Sequence, residues 1–529
     1  MRRLIRSWRL ALRPQVGAML LLGFSSGLPL LLIFATLSLW LREAGVQRSE
    51  VTYFSWAALG YAFKFVWAPL IDKLPVPWLT PRLGQRRSWL LLAQLAVAGA
   101  LIFMALSDPA TPQGLTAMAV GAVMLGFSAA TQDIVIDAYR IEAAKPRLQA
   151  LMAGSYVAGY RIGMLVAGAL SLYLADGFGT TADQYIYAAW RSTYLLMAGA
   201  MAVGVLTTLT VREPARRRAS PYLNKTGDYL RFMAVFIAFI AAFIGVYSQL
   251  SGWAQVWKAE LSLLGWLTTD PTDMAPVNHF LVTALQLTVA LAGALAMVWL
   301  AVKTQLAPRA MVRDTYLEPA MDFLHRYGKG ALPILLLVGG YRISDIVLGA
   351  IANVFYSDMG FSKSEIATVT KAFGLWVTIA GGLLGGVLTL RYGVLRILML
   401  GAALTVLTNL LFILQAQSPG DLLLLYLVIG ADNLTAGLAS AAFIAYLSSL
   451  TSLAFTAVQY AVFSSLMTLF PKLLAGYAGA IVDTLGYPAF FLGASLLGIP
   501  VLLLVYWAGR VTPRRQAAPA AQSPPSHSA

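Results

Sequence analysis

The stretch GVQRSEV at residues 45–51 recurs with the same chemical pattern as GFSKSEI at residues 360–366. Each copy places a Ser before a Glu where a helix would begin, which is common capping chemistry and weak evidence taken alone. The position is more informative, because each copy joins the first apolar run to the second within its own series of six. The sequence therefore predicts an all-α fold built from a duplicated unit of six helices.

The composition assigns the chain to a membrane. Hydrophobic residues make up 59% of the 529 residues and charged residues only 12%, whereas about a quarter of a soluble domain is charged. Many apolar runs reach the roughly 20 residues that cross a hydrocarbon core of about 30 Å. The chain has no cysteine, which excludes a disulfide framework and thiolate chemistry. Its three histidines are scattered, so we predict neither a metal site nor a cofactor.

Two similar halves of six spans are the architecture of the major facilitator fold, to which this chain adds two inserted spans. We predict about 14 transmembrane helices in total. The inserted pair, near residues 230–250 and 278–302, has no charge in its apolar cores and is interpreted as lipid-facing scaffold. The predicted parts are a basic N-terminus at 1–15, a six-helix bundle at 16–211, linkers with the inserted pair at 212–330, a second six-helix bundle at 331–509 and a disordered tail at 510–529.

The net charge of +15 follows the predicted topology. About 28 of the 38 Lys and Arg residues fall in the termini and in alternate connections, against about 5 in the other connections. The positive-inside rule then places both termini in the cytoplasm of a bacterial inner-membrane protein. The basic surplus therefore predicts contact with the lipid bilayer and none with nucleic acid. The first apolar run lacks a small-residue cleavage site, so we interpret it as an uncleaved span.

One predicted span contains two acids, in QDIVIDAYR at residues 132–140. Asp133 and Asp137 are one helical turn apart and therefore share a helix face. Burying a carboxylate in a bilayer is costly, which indicates that this face meets water, a partner or a substrate. Asp133 lies one turn deeper and is the stronger candidate for contact with a proton or cargo. Asp137, next to Arg140, is equally consistent with a gate.

The other charges inside spans also avoid the outer helices of a twelve-helix core. When the two halves are numbered from one to twelve, helices 3, 6, 9 and 12 carry no interior charge, and in this fold those four lie outside the cavity. Local pairing is an alternative for single residues, since Arg342 is three residues from Asp345 and Lys472 is long enough to reach the interface or Asp432. The full set is Lys64, Asp133, Asp137, Arg161, Arg342, Asp345, Lys371, Asp432 and Lys472.

These charges predict a polar cargo that carries acidic groups. Five cations against four acids make the cavity slightly basic, and a guanidinium binds a carboxylate through two parallel hydrogen bonds. Arg161 and Arg342 are therefore the preferred anchors, with the three lysines acting as point charges. Aromatic residues accompany the cations, which suits a sugar with acidic groups, although each ring taken singly is also typical of packing. These rings are Tyr61, Tyr160, Tyr341 and Trp376.

The sequence also limits the energy source. It lacks the G-x-x-x-x-G-K-[ST] phosphate-binding loop, which argues against a built-in ATPase. A buried acid that binds and releases a proton is the alternative means of coupling. The candidate proton-coupling residues are Asp133, Asp137, Asp345 and Asp432.

Several motifs resemble those of the AmpG muropeptide permease family. The resemblance implies an inner-membrane importer, driven by the proton motive force, for N-acetylglucosaminyl-1,6-anhydro-N-acetylmuramyl peptides recycled from the cell wall. It also implies an indirect role in β-lactamase induction. On these motifs we add Gln132, Asn433 and Gln459 to the candidate cargo residues. The motifs are GFSSGLPL at 23–30, AFKFVWAPLID at 62–72, QDIVIDA at 132–138, GYRIGMLV at 159–166, ADN at 431–433 and TAVQYA at 456–461.

The loop between helices 2 and 3 carries a stretched form of the general facilitator signature. Its acid comes in Asp72-Lys73 and its cations in RLGQRR at 82–87, whereas the second half keeps only RYG at 391–393 without an acid. We predict that a gate on the cytoplasmic side is formed by Asp72, Arg86, Arg87, Asp137 and Arg140.

Two other functions are consistent with parts of the sequence. A facilitator for another anionic conjugate, such as a nucleotide-linked or acyl-linked metabolite, would use the same cavity. An intramembrane aspartyl protease would need two aspartates from different helices, whereas Asp133 and Asp137 share one helix face. We therefore predict a monomeric transporter of a small glycopeptide and protons, and not an enzyme.

Overall fold

The computed structural model describes residues 13–46, 54, 61, 63–143, 146–181, 184–215, 226–263, 275–306, 308–475 and 478–511. Every regular element within these ranges is helical, which confirms the all-α prediction. The helices form two bundles, each with its own buried apolar core.

The first bundle runs from Pro14 to Thr210. A 3-10 turn at Lys64–Val66 precedes its third helix, and a π turn at Val166–Leu170 joins its seventh to its eighth. The helices are α1 (Pro14–Ile33), α2 (Ala35–Glu43), α3 (Ala68–Lys73), α4 (Thr80–Leu83), α5 (Gln85–Ala105), α6 (Pro112–Ala143), α7 (Pro146–Leu165), α8 (Ser171–Gly177), α9 (Tyr187–Ala200) and α10 (Ala202–Thr210).

The inserted pair, a linker and the second bundle follow. The inserted helices are α11 (Thr226–Leu263) and α12 (Ala275–Lys303), and the linker contains α13 (Arg309–Val312) and α14 (Glu318–Tyr327). The second bundle contains α15 (Ala331–Gly340), α16 (Ile343–Asp358), α17 (Lys363–Ile366), α18 (Gly374–Tyr392), α19 (Val394–Gln417), α20 (Leu422–Leu450), α21 (Thr456–Ala475), α22 (Ala478–Leu496) and α23 (Gly498–Val511).

Within the described residues, eleven stretches are long and apolar enough to cross a membrane, and Thr288–Lys303 is a shorter apolar helix. The chain is therefore a multi-pass membrane protein. The predicted number of 14 helices is not confirmed. About half of the predicted span at 51–71 lies outside the described residues, and the one at 456–482 is interrupted at 476–477.

The two copies of the repeat end a helix with the same turn. Gly45 and Gly360 both have φ of +83°, a left-handed conformation that favours glycine. The amide of the next residue, Val46 or Phe361, donates to the carbonyl five residues earlier, at 3.0 and 3.2 Å. This pattern closes a helix by a Schellman motif. The equivalent backbone geometry supports the predicted duplication.

Capping can be followed in the second copy, because residues 47–51 of the first copy lie outside the described residues. The backbone amide of Ser362 donates to the Glu365 carboxylate at 2.8 Å, and the Glu365 amide donates to the Ser362 hydroxyl at 3.3 Å. This is a capping box, and hydrogen bonds from Ser362 lower the pKa of Glu365. The capping residue is therefore Ser362 and not Ser364, which directly precedes the Glu.

The bundles approach each other most closely where α7 crosses α18. A Cβ atom added at Gly154 would lie 2.6 Å from the carbonyl oxygen of Gly382, and one added at Gly386 would lie 2.9 Å from the carbonyl oxygen of Ala150. Only glycine permits such an approach of two backbones, as in other close-packed membrane helices. The crossing brings the residues of α7 next to those of the second bundle.

The inserted helices α11 and α12 pack on each other and on the first bundle. Phe236 of α11 and Val298 of α12 are buried in one apolar cluster with Trp67. The ring of Phe243 lies 6.3 Å from that of Phe63, directly before the turn that carries Lys64. The opposite faces of the pair expose apolar side chains, among them Ile237. The pair is thus a lateral support of the first bundle.

Candidate functional site

Asp133 is buried on α6 and accepts a hydrogen bond from one hydroxyl group. Ser26 of α1 donates a hydrogen bond to its carboxylate, and the Ser26 oxygen also lies 2.9 Å from the hydroxyl of Tyr156 on α7. The Ser26 hydroxyl therefore links α1, α6 and α7. In the described part of the chain Asp133 forms no ion pair with a cation. A buried acid with neutral hydrogen-bond partners is able to exist in either protonation state.

Asp137, one turn further along α6, lies between two cations. Its carboxylate is 3.9 Å from the Lys64 ammonium and 3.2 Å from the Arg140 guanidinium. Lys64 reaches it from the 3-10 turn at Lys64–Val66, which is followed by α3 with Pro69 in its first turn. Asp137 is therefore ion-paired, in contrast to Asp133.

Arg140 connects the two bundles. It is fully buried, donates to the hydroxyl of Ser448 on α20 at 2.6 Å, and lies 5.2 Å above the ring of Tyr460 on α21. The acid-bearing face of α6 thus continues directly into a contact with the second bundle. This location agrees with the proposed gating role of Arg140, which stays a prediction.

A second crossing contact links Asp72 to the start of α21. Arg86 donates to Asp72 at 2.6 Å and to Glu142 at 2.7 Å, so three charged groups form one buried cluster. Asp72 also accepts hydrogen bonds from the backbone amides of Ala457 and Val458, at 3.4 and 3.2 Å. The amides at a helix N-terminus attract a carboxylate. We call the end of the molecule that holds Arg86, Arg140 and Arg326 the basic side.

Arg87 acts within the first bundle. It donates to the carbonyl groups of Thr208 and Leu209 at the end of α10, at 2.9 and 2.6 Å. Glu213 accepts from the backbone amides of Arg86 and Arg87, at 2.8 and 3.0 Å. Burial raises the pKa of Glu213. In this conformation Arg87 therefore joins α5 to α10, and its predicted gating role stays untested.

Two arginines from opposite bundles lie within electrostatic range of each other. Arg161 of α7 and Arg342, directly before α16, are close enough for their charges to repel. Arg342 is 3.9 Å from Asp345 on its own helix, as the spacing of three residues predicted. Arg161 has no carboxylate partner among the described residues. Because Asp345 offsets Arg342, the three groups together carry one net positive charge.

The aromatic candidates differ in their surroundings. Tyr160 is partly buried beside Arg161, with its ring 6.0 Å from that of Tyr156. Within the described residues, the hydroxyl of Tyr61 has no hydrogen-bond partner. Tyr341 donates to the Leu398 carbonyl at 2.9 Å, so its hydroxyl is used inside the second bundle. The cargo roles of these rings stay predictions.

The three candidate cargo residues with amide side chains differ in their hydrogen-bond partners. Gln132 is fully buried, and neither its amide oxygen nor its amide nitrogen has a hydrogen-bond partner in the described residues. A ligand could satisfy these two atoms. Asn433 accepts from Thr378 at 2.7 Å and so links α20 to α18. The Gln459 amide donates to the Pro319 carbonyl at 2.7 Å and to Asp322 at 2.9 Å. Gln459 is thus engaged by the linker and not by the cavity residues.

The remaining candidates lie in the second bundle. Asp432 accepts a long hydrogen bond of 3.5 Å from Thr408 and lies near Asp345. Trp376 is 61% exposed and Lys472 is exposed, so both side chains lie at the surface of the bundle. The side chain of Lys371 lies outside the described residues.

Sequence reasoning missed several partners of the predicted residues. A Ser or a Tyr in an apolar helix is common and carries no signal by itself, so Ser26, Tyr156 and Ser448 were not recognisable. The linker pair Asp322 and Arg326 was recognisable as an i, i+4 pair on a helix. Its contact with Gln459 was not, because that contact depends on how α14 lies against the second bundle.

The sequence of this chain is similar to those of known proteins. The sequence profile of the Major Facilitator Superfamily matches residues 19–315 and 334–528. The chain is 28% identical over 487 residues to the putative transporter AmpG 4 of Rickettsia conorii, covering 92% of this chain and 94% of that protein. It is 27% identical over 498 residues to the anhydromuropeptide permease of Escherichia coli K12, covering 94% and 80%.

Solved structures give the same fold. The chain is similar to the proton:xylose symporter XylE, with 11% identity, a TM-score of 0.55 and 96% of each chain covered. It is also similar to the human organic anion transporter MFSD10, with 14% identity, a TM-score of 0.53, and 93% of this chain and 100% of that chain covered. At such identities the likeness shows the fold alone. The resemblance to the AmpG permeases, in contrast, extends over more than nine-tenths of the chain.

Proposed function

We propose that this chain, which belongs to the Major Facilitator Superfamily, imports anhydro-muropeptides across the bacterial inner membrane together with protons. As a member of that family it is a transporter and not an enzyme, so the intramembrane protease alternative is excluded. The choice of cargo is supported by the relative named an anhydromuropeptide permease. Import of N-acetylglucosaminyl-1,6-anhydro-N-acetylmuramyl peptides would serve peptidoglycan recycling and, through it, β-lactamase induction.

The observation that carries this proposal is the electrostatic proximity of Arg161 and Arg342. Two like charges held close together across the bundle interface repel each other. An anionic group placed between them would remove that repulsion and would bind both bundles at once. A peptide carboxylate of the cargo is such a group, and it matches the planar guanidinium donors. The unpartnered amide of Gln132 adds a neutral site suited to a sugar hydroxyl or amide.

The proposed direction of transport is inferred from the orientation of the basic side in the membrane. Asp72 and Arg140 tie the two bundles together there, and the positive-inside rule assigns that side to the cytoplasm together with both termini. Cargo would therefore enter from the opposite, periplasmic side. Release into the cytoplasm would require the contacts of Asp72 and Arg140 with the second bundle to break, which is the alternating-access step.

The proton step is assigned to Asp133. A proton from the periplasmic side would bind a carboxylate oxygen of Asp133 and remove one negative charge near Lys64. Lys64 would then be drawn more strongly to Asp137, in competition with Arg140. Weakening the Asp137–Arg140 pair would free Arg140 from its position against Ser448. Protonation on one side would in this way favour opening on the other.

Uptake of labelled anhydro-muropeptide into proteoliposomes tests the proposal. We expect accumulation only when the external side is acidic, and we expect Asp133→Asn to abolish it while the protein stays folded. Arg161→Ala should raise the half-saturation concentration by about 10- to 100-fold, the effect of losing a charged hydrogen bond. Asp176→Asn is the matched control, because its side chain is exposed, and it should leave uptake unchanged.

Each part of the proposal has its own contrary result. Uptake that is indifferent to the pH gradient would reject proton coupling. Uptake of a nucleotide-linked or acyl-linked anion, but not of the muropeptide, would favour the alternative cargo, since the same arginine pair would bind it. Unchanged half-saturation for Arg161→Ala would assign Arg161 a structural role.

A further inference from the structure

A groove lies where the start of the second bundle meets its end, on the basic side. It has a volume of about 230 Å³ and is lined by Lys329, Gly330, Pro333, Trp507, Arg510 and Val511. Gly330 permits this contact, because a Cβ atom there would lie 1.8 Å from a methyl carbon of Val511. We call it the α15–α23 groove. None of its residues belongs to the proposed cargo site.

Both charged residues of the groove are exposed cations. Arg510 lies 4.5 Å above the ring of Tyr506 and donates to its hydroxyl, so the guanidinium is held in place on α23. Lys329 is exposed next to α15. Within the described residues neither cation forms an ion pair. The groove therefore presents two positive charges without a compensating acid.

The surroundings of the groove match the membrane interface. Tyr506 and Trp507 are exposed at its edge, where aromatic residues are enriched in membrane proteins. Leu336 lies seven residues after Lys329, and Leu503 lies seven residues before Arg510. A helix rises about 10 Å over seven residues, and both leucines are exposed. An apolar track therefore leads from the cations toward the middle of the bilayer.

We propose that the α15–α23 groove binds one anionic phospholipid. The headgroup phosphate lies between Lys329 and Arg510, and one acyl chain follows Leu336 and Leu503. Basic pockets between transmembrane helices at the cytoplasmic surface are suited to anionic headgroups, and a guanidinium binds phosphate oxygens in a bidentate manner. The groove and the apolar track together match a lipid, because a free phosphate would use the cations but leave the leucines uncovered.

Lipid binding to the purified full chain tests the proposal. Native mass spectrometry would count phosphatidylglycerol and phosphatidylcholine molecules with identical acyl chains, and glycerol phosphate would serve as a free headgroup. We expect phosphatidylglycerol to bind preferentially, and the double variant Lys329→Gln, Arg510→Gln to bind it about 30-fold more weakly. Arg391→Gln is the matched control, since Arg391 is also exposed and lies 5.0 Å above the neighbouring Tyr392 ring. It should bind like the unchanged protein.

A second measurement does not depend on the folding of a variant. Photo-activatable phosphatidylglycerol should crosslink to the unchanged protein within residues 329–336 or 503–511. Equal binding of phosphatidylcholine, equal binding of glycerol phosphate, unchanged binding by the double variant, or crosslinks confined to other segments would each overturn the proposal. The outcome is independent of muropeptide uptake, because no cargo is present.

Discussion

The two bundles have the same backbone turn on the basic side but different charged residues around it. Both begin the helix after their second span with a left-handed glycine, Gly84 with φ of +88° and Gly393 with φ of +91°. In the first bundle this turn is surrounded by charges, with Arg86 between Asp72 and Glu142. In the second bundle the same loop carries Arg391 but no acid. The two halves therefore keep the same backbone conformation at this turn but differ in the charged residues around it.

The linker supplies the charged groups that the corresponding loop of the second bundle lacks. Arg326 of α14 is 2.9 Å from Asp322, donates to the Leu450 carbonyl at 2.8 Å and donates to Gln459 at 3.0 Å. Asp72 of the first bundle accepts a hydrogen bond from the amide of Val458. Charged groups of the first bundle and of the linker thus bind neighbouring residues at the start of α21. The charged contacts on the basic side are therefore asymmetric, because one cluster belongs to the first bundle and the other is supplied by the linker.

Breaking the buried cluster should have the largest effect. Arg86→Ala removes the cation that both Asp72 and Glu142 bind in this buried cluster. Loss of one partner from such a cluster costs about 3–5 kcal/mol. We expect a large fall in the thermal unfolding temperature of the detergent-purified protein. Arg391→Ala, the corresponding change in the second bundle, should change it little, and equal losses for the two variants would contradict the asymmetry.

Removing the crossing contact should shift the conformation as well as lower stability, because Asp72→Asn also takes a charged partner from Arg86. Asp72→Asn keeps an acceptor for the amides of α21 but removes the charge that favours a helix N-terminus, worth up to about 2 kcal/mol. We expect the basic side to open more often. Because the chain has no cysteine, the single substitution Ala150→Cys, placed where α7 meets α18, reports opening through its rate of thiol labelling.

The labelling rate should rise by roughly tenfold in Asp72→Asn. Ala110→Cys provides the control position, since Ala110 is exposed in the loop before α6 and should label at the same rate in both backgrounds. An unchanged rate at position 150 would mean that Asp72 does not hold the bundles together.

Releasing the linker should have a smaller effect on stability. Arg326→Ala removes its hydrogen bonds to Leu450 and Gln459, but the Arg326 side chain is 30% exposed and water replaces part of the interaction. We expect a loss of about 1–2 kcal/mol. Limited proteolysis within residues 304–330 should become faster. Protection equal to that of the unchanged protein would show that α14 is held by its apolar contacts alone.

The smallest expected effect concerns pH. Burial raises the pKa of Glu213 above its ordinary value of 4.5, so the folded state binds this proton more readily than the unfolded state. The protonated form therefore favours folding, and the contribution of Glu213 to stability falls as pH rises through the interval above 4.5. Glu213→Gln should flatten the pH dependence of the unfolding temperature in that interval. A steeper dependence would contradict the assignment.

Periodicity explains which parts of the site were predictable. The spacing of Asp133 and Asp137 placed both on one face of α6, and the three-residue spacing of Arg342 and Asp345 predicted their contact at 3.9 Å. Such neighbours are set by the helix itself, so they follow from the sequence. The placement of Asn433 and Gln459 in structural contacts did not follow, because their partners come from other helices.

By itself, the sequence determined the membrane class, the duplicated architecture, the basic side and the spans that carry charge, because these depend on hydropathy, charge counting and helix geometry. Only the tertiary structure decided which charges meet. Arg140 reaches Ser448 across 308 residues of chain, Ser26 reaches Asp133 across 107, and Arg326 is brought to Leu450 by the position of the linker. Such contacts depend on how whole helices cross, for which no local pattern exists. The asymmetry of the charged contacts on the basic side therefore became visible only in the folded molecule.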